Sequence, residues 1–501
     1  MEWFAAPELE QARWLLQRGL ALVYLLAFVN IVDQWRGLLG ERGLLPVPAF
    51  LGRVPFGQSP SLFHWRYSDR LALGLAWIGI ALAAGALAGI PAAGLPTWAS
   101  MLWWAVLWAM YLSYVNVGQV WYAFGWESLL LEAGFLAIFL GGADVAPPLL
   151  VLWLFRWLLF RVEFGAGLIK MRGDPCWRDL TCLQYHHESQ PLPGPLSWWF
   201  HRLPPSLHRT ETLANHVVQL GMPFLLFLPQ PVAGVAATAM IVTQGWLMLS
   251  GNFAWLNLLT IVLATSALPG DWLGWLPTDA SAVTTPGIFA AAGIGVTVLV
   301  AILSVNPTRN LRSPRQRMNA SFDPLRLVNT YGAFGSVTRT RFEVEVEGTR
   351  DADPGPDADW RAYRFRAKPG DPARRPRQIA PYHVRLDWLM WFLAMSPGVG
   401  HRDRWFPVLL GRLLTGDPVV RGLLGHDPFE GAPPRWVRVR RYRYRYTTGD
   451  ERHGTGHWWV RDLVGEFVHP TEADDLPDAG RRSVRRDQDW FDGIEPDDLA
   501  G

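Results

Sequence analysis

Lysine is nearly missing from this chain: Lys170 and Lys368 stand alone among 46 basic residues in a sequence of 501. Cysteine is as scarce, with only Cys176 and Cys182, and the net charge is +2. Such a balance gives no reason to invoke nucleic acid, since the basic residues are spread over several stretches and form no single stripe. No P-loop and no dinucleotide fingerprint occurs either. Gly332-Ala333-Phe334-Gly335 lacks the strand-turn-helix setting that a phosphate cradle needs, and no cofactor is expected. No cleavable leader is expected either. The N-terminus carries Glu2, Glu8 and Glu10 in place of a basic region, and the first apolar run leads into Asp33-Gln34-Trp35, so it reads as a retained helix.

What the chain does have is divided unevenly. A mean hydropathy of +0.09 hides uncharged runs such as 71–90 and 98–117, each long enough for a helix to cross about 30 Å of hydrocarbon. Helices are expected over 14–32, 71–90, 98–117, 128–141, 147–165, 213–228, 231–249, 253–268 and 286–305. Proline and glycine pairs punctuate their ends. Residues 1–308 therefore read as a polytopic α-helical membrane protein with eight or nine transmembrane helices. Two long connections, 33–70 and 166–212, are rich in Trp, Arg and His, as in a layer at the membrane surface. Arg309, Arg312, Arg315 and Arg317 close the last apolar run. Beyond them, 341–347 (RFEVEVE), 360–368 (WRAYRFRAK) and 436–447 (WVRVRRYRYRYT) alternate apolar with charged residues, the mark of half-buried strands. With helices over 384–395 and 405–414, residues 309–469 read as a soluble β-rich, sandwich-like domain. The acidic tail 470–501 reads as disordered.

Ionisable groups inside spans are costly and are retained for a reason. Here they are Glu127, Glu132, Arg156, Arg161 and Glu163. Arg156, Glu163 and Lys170 lie seven apart and fall on one helical stripe. Two readings are open: cross-helix pairs that hold the bundle together, or a polar cavity. Lys170 has its own pair of readings, a snorkelling ammonium or a base, because burial can free a lysine of its proton and cannot do so for arginine. Cys176 and Cys182, six apart, can form a structural disulfide, a redox pair or free thiols. A disulfide implies an oxidising compartment, whereas the positive-inside rule places 33–70, 166–212 and the C-terminal domain in the cytoplasm. His186-His187-Glu188 follow, with His201, His208 and His216 beyond. An HHE triplet alone does not make a metal site, and none is expected.

The stretch 164–193 (FGAGLIKMRGDPCWRDLTCLQYHHESQPLP), preceded by GWES at 125–128, resembles the core of the lipase maturation factor family. The resemblance extends through NTYGAFGSVT (329–338), EVEGT (345–349), KPGD (368–371), APYHVRLDWLMW (380–391) and Trp458-Trp459. It implies a multi-pass membrane protein that helps secreted lipases fold and assemble, with an extracytoplasmic C-terminal domain that contacts clients. The location implied is the endoplasmic reticulum membrane in a eukaryote and the cell membrane in a bacterium. Asp174, Trp177, Arg178, Tyr185, His186, His187 and Glu188 are the candidate loop residues. More distantly, Ala166-Gly167-Leu168-Ile169-Lys170, Trp177 and Tyr185 are similar to the membrane core of vitamin K-dependent carboxylases, where the position of Lys170 lies at the active site. Two functions follow. One is a maturation factor whose partners are the bilayer and exported proteins, lipases among them. The other is a membrane enzyme acting on a lipid, quinone or peptide with Lys170 as base.

Overall fold

A computed structural model describes residues 2–276, 285–430 and 432–473. The first five long helices are α1 (Glu10–Leu38), α2 (Asp69–Ala88), α3 (Thr97–Val117), α4 (Gly125–Ala137) and α5 (Leu149–Arg172). The connection 166–212 carries α6 (Leu183–Ser189) and α7 (Pro205–His216). It leads on to α8 (Val232–Ser250), α9 (Leu256–Ala264) and α10 (Gly287–Leu303). Local signals set the ends: Ser68 caps α2 by accepting from the Leu71 amide at 3.2 Å, and Gly89 ends it in the left-handed conformation.

Among the described residues, four helices are long and apolar enough to cross a bilayer: Pro7–Leu38, Asp69–Ala88, Val232–Ser250 and Gly287–Arg312. The last three leave large apolar side chains uncovered, among them Trp77, Val242 and Ile288, the last 85 % exposed. A hydrocarbon solvent accounts for such a surface. The helix expected over 213–228 is broken. α7 passes at His216 into a π-helical turn, Val217–Gly221, before a short helix, Met222–Leu225. Pro223 lacks an amide proton and its ring crowds the carbonyl four residues back, so the ladder widens just ahead of it.

The C-terminal part holds a single antiparallel sheet of order β2-β1-β3-β4, made of β1 (Arg341–Thr349), β2 (Arg361–Ala362), β3 (Trp436–Tyr446) and β4 (Trp459–Thr471). Where a sandwich was expected, no second sheet faces it among the described residues; α11 (Arg385–Met395) packs on β1, and α12 (Trp405–Leu414) packs against β3. β1 also departs from the half-buried pattern, since Glu343, Glu345 and Glu347 are all buried. Each is neutralised locally. Glu343 pairs with Arg341 and with Lys368 at 3.0 Å, Glu345 with Arg461 and the Tyr444 hydroxyl, and Glu347 with Arg438 across the strands at 2.6 Å. Of the acidic tail expected over 470–501, Pro470 and Thr471 belong to β4, Glu472 pairs with Arg435 at 3.0 Å, and residues 474–501 lie outside the described residues.

The two parts share one hydrophobic core, which runs from Leu16 and Trp35 of α1 to Trp388 of α11 and Trp405 of α12. Arg385, wholly buried, enters the helical bundle. Its guanidinium donates to Glu127 Oε1 of α4 at 2.7 Å, to the Trp121 carbonyl at 2.6 Å and to Asn30 Oδ1 of α1 at 3.0 Å. The Tyr111 hydroxyl donates to the other oxygen of Glu127. Gln34 of α1 grips the same segment, accepting from the Arg385 amide at 3.0 Å and donating to the His383 carbonyl at 2.7 Å.

Removing one partner of a buried ion pair strands the other charge, a loss of about 3–5 kcal/mol. Arg385→Met alone and Glu127→Leu alone are therefore expected to destabilise the full-length protein in detergent by about that much. The double variant should recover most of the loss. Thermal unfolding of the three variants checks this, and additive losses in the double variant would show that the two residues act independently.

Candidate functional site

The intramembrane charges do not form one cluster. Glu127 belongs to Arg385, as described. Glu132 of α4 pairs with Arg161 of α5, and its Oε2 accepts from the Asn329 amide at 3.0 Å and the Tyr331 hydroxyl at 2.7 Å. Arg161 also donates to the Asn329 carbonyl at 2.7 Å. The segment that begins the C-terminal part thus plugs into α4 and α5. Close approach requires glycine there, since a Cβ on Gly165 would meet the Tyr331 carbonyl oxygen at 2.5 Å. Arg156 donates to the carbonyls of Ser266 at 3.1 Å and Leu226 at 3.2 Å, oxygens left open where helical turns end.

Glu163 and Lys170 do meet, through an intermediary. Lys170 Nζ donates to Asn215 Oδ1 and to Gln219 Oε1, both at 2.8 Å, and lies 4.8 Å from the centre of the Trp177 ring. Gln219, on the π-helical turn, passes its amide to Glu163 at 3.1 Å. Gln244 donates to the other oxygen of Glu163 at 2.7 Å and accepts from Asn257 at 2.7 Å. The chain Lys170–Gln219–Glu163–Gln244–Asn257 therefore joins α5, the π turn, α8 and α9. Glu127, Arg156 and the linked Glu163 and Lys170 thus belong to three separate anchorages, and Glu132 with Arg161 forms a fourth. A cavity of about 50 Å³ lies elsewhere, against Arg13 and Gln17 of α1.

Over this network sits the disulfide loop. Cys176 and Cys182 are bonded, buried, and packed with Trp177, Leu183 and Val337. Asp174 caps the short turn after α5, accepting from the Cys176 amide at 3.0 Å, and pairs with Arg339 through two contacts of 2.8 Å. The Arg339 guanidinium holds the Asp174 carboxyl down at about 2. Trp177 donates to the Phe334 carbonyl at 2.8 Å, Arg178 returns to the Met171 carbonyl at 3.0 Å, and Tyr185 lies under Arg339.

The His-His-Glu triplet points three ways. Burial, with His187 beside it, pushes His186 down to about 3, so it stacks on Phe253 as a neutral ring. His187 faces His208 and Glu211. Burial raises Glu188, which accepts from the Tyr446 amide of β3 at 2.7 Å. Sequence reasoning missed Asn215, Gln219, Gln244, Asn257, Asn329, Glu211 and Arg385. A signal existed for some of them: Gln219 and Gln244 are amides inside expected spans, where an unpaired polar group is costly.

Two family models match the chain, the lipase maturation factor transmembrane domain over residues 11–275 and the lipase maturation factor C-terminal domain over 327–469. Lipase maturation factor 1 of Bos taurus is 42% identical over 510 residues, covering 93% of this chain and 89% of that protein. The Homo sapiens protein of the same name is 42% identical over 523 residues, covering 95% and 90%. Lipase maturation factor 2 of Rattus norvegicus is 30% identical over 583 residues, covering 90% and 81%. No solved structure matches the chain.

Lys170→Met leaves two buried amide oxygens without a donor, a loss of about 1–3 kcal/mol each. The variant is expected to melt several degrees below the wild type, and Lys170→Arg to melt lower as well, for want of room beside Trp177. A Lys170→Arg protein of unchanged stability would remove this structural role. For Asp174, the pKa in the folded chain lies below the ordinary 3.8, so its contribution is present above that value and fades as pH falls towards 2. Arg339→Ala should move that loss up to ordinary carboxylate values, seen as earlier acid exposure of Trp177 by fluorescence.

Proposed function

The chain belongs to the lipase maturation factor family, and from that premise we propose that it is a membrane-embedded factor that assists the folding and assembly of secreted lipases. The names of its relatives support the client class. One structural observation supports the way a client is held. β4 is 13 residues long, lies at the edge of the sheet, and pairs on one side only among the described residues. Leu463 and Val464 near its middle are 54 % and 55 % exposed. An edge with open amides and carbonyls and exposed apolar side chains accepts an extended segment from a partly folded chain.

In this reading residues 1–308 form the membrane part, and 309–469 with the end of β4 form the client-facing part. α3 and α5, of 21 and 24 residues, are further crossings beside those four helices. A count of eight then needs α4 and α9, of 13 and 9 residues, to occupy part of the bilayer inside the bundle, and nine needs the broken helix from α7 to Leu225 as well. The C-terminal part faces the extracytoplasmic side, in the endoplasmic reticulum of a eukaryote or at the cell membrane of a bacterium. The disulfide supports that side, since such bonds persist in oxidising compartments. Glu163, Lys170 and the loop from Asp174 to Glu188 serve as the scaffold that seats the sheet on the membrane.

Two measurements test these statements. Leu463→Asp combined with Val464→Asp should lower the yield of active lipase several-fold in cells co-expressing a secreted lipase, with the melting temperature unchanged; full yield would reject β4 as the holding edge. Thiol reagents that cannot cross the membrane should label Cys176 and Cys182, after reduction, only from the extracytoplasmic face. Labelling only from the cytoplasm would reverse the orientation.

A further inference from the structure

The connection between α5 and α8 brings three ligand-bearing side chains together: His187 on α6, and His208 and Glu211 on α7. Nε2 of His187 lies 3.6 Å, and Nδ1 of His208 3.7 Å, from Oε2 of Glu211, and the ligand atoms of all three residues fall within 4.8 Å of one another. These separations are too long for hydrogen bonds. His187, 1 % exposed, has no hydrogen-bond partner at either ring nitrogen, and neither His208 Nδ1 nor Glu211 Oε2 has one. His208 Nε2 faces the His201 carbonyl at 3.4 Å. A carbonyl only accepts, so in the neutral ring the proton sits on Nε2 and the Nδ1 lone pair turns towards the carboxylate. Two buried acceptors aimed at one another are unfavourable unless a cation lies between them.

We propose that His187, His208 and Glu211 bind one divalent transition-metal ion, with zinc the best match. Imidazole nitrogen and carboxylate oxygen are zinc ligands, and a tetrahedron with bonds of about 2.0–2.1 Å sets its ligand atoms about 3.4 Å apart. The observed 3.6 and 3.7 Å are close to that edge. The outer contacts are those that orient metal ligands: His208 donates from its far nitrogen to a carbonyl, and Trp246 of α8 donates to the second oxygen of Glu211 at 2.6 Å. Two nitrogen ligands disfavour calcium and magnesium, which take oxygen. With three protein ligands the fourth position is left to water or to an incoming group. The ion ties α6 to α7 and, through Trp246, to α8.

The test uses the full-length protein in detergent, without a polyhistidine tag and with its disulfide intact. After chelator treatment and dialysis against zinc, metal analysis should find about one zinc per chain. His208→Ala and Glu211→Gln should lose it, and His453→Ala, an exposed histidine elsewhere, should keep it. Zinc should raise the melting temperature of the wild type by several degrees and leave His187→Ala/His208→Ala unmoved. Because those variants could fail to fold, cobalt provides a direct reading on the wild type. Its visible spectrum should show the intense ligand-field bands of a tetrahedral site without thiolate charge transfer. Their absence, or zinc retention equal in the wild type and the double variant, would overturn the proposal.

Discussion

A charge taken out of water has to be neutralised where it lies, and the architecture of this chain turns on the place where Arg385 meets Glu127. Both side chains are wholly buried. The carboxylate is on a short helix inside the membrane part, and the guanidinium is on a helix that follows the first strand of the C-terminal part, 258 residues later. Both parts contribute to one core. Glu132 repeats the arrangement, with the Asn329 amide and the Tyr331 hydroxyl reaching it from the same later region. The C-terminal sheet is thereby seated on the bundle by polar bonds worth most where water is excluded, and apolar packing from Trp35 to Trp405 surrounds them.

The same constraint explains the unusual use of basic residues. Arginine serves where a planar fork must reach several acceptors at once, as Arg385 and Arg161 do. The two lysines occupy the other kind of site. Lys170 ends among the amide oxygens of Asn215 and Gln219, and Lys368 among Glu343 and the carbonyls of Val344 and Pro369 at 2.9–3.1 Å. A compact ammonium fits such pockets of oxygen. Lys170, singled out by composition as a possible base, is thus a donor in a hydrogen-bonded network with Asn215 and Gln219.

The region around 166–212 joins these anchorages to the sheet. Its disulfide loop is bound to residues 334–339, its Glu188 holds the backbone of β3, and its Trp198 donates to the Thr447 carbonyl at 3.0 Å. Such a layer sets the position of the sheet relative to the bilayer.

Much of this was legible in the residues alone. Runs such as 71–90 and 98–117 set helices, the alternation in 341–347 and 436–447 set strands, and Cys176 with Cys182 left a single possible pair. Hydropathy and periodicity are properties of neighbours along the chain, and these elements follow from them. Partnership is different. Nothing local says that Glu127 awaits Arg385, that Gln219 stands between Lys170 and Glu163, or that β1 has no solvent face. Even the break ahead of Pro223, which has a local cause, acquires its role only when the π turn aims Gln219 at Lys170. Which charge neutralises which depends on the helices that pack together. Packing is decided by the fit of whole faces across hundreds of residues, so only the tertiary structure could turn a stripe of suspicious charges into separate anchorages.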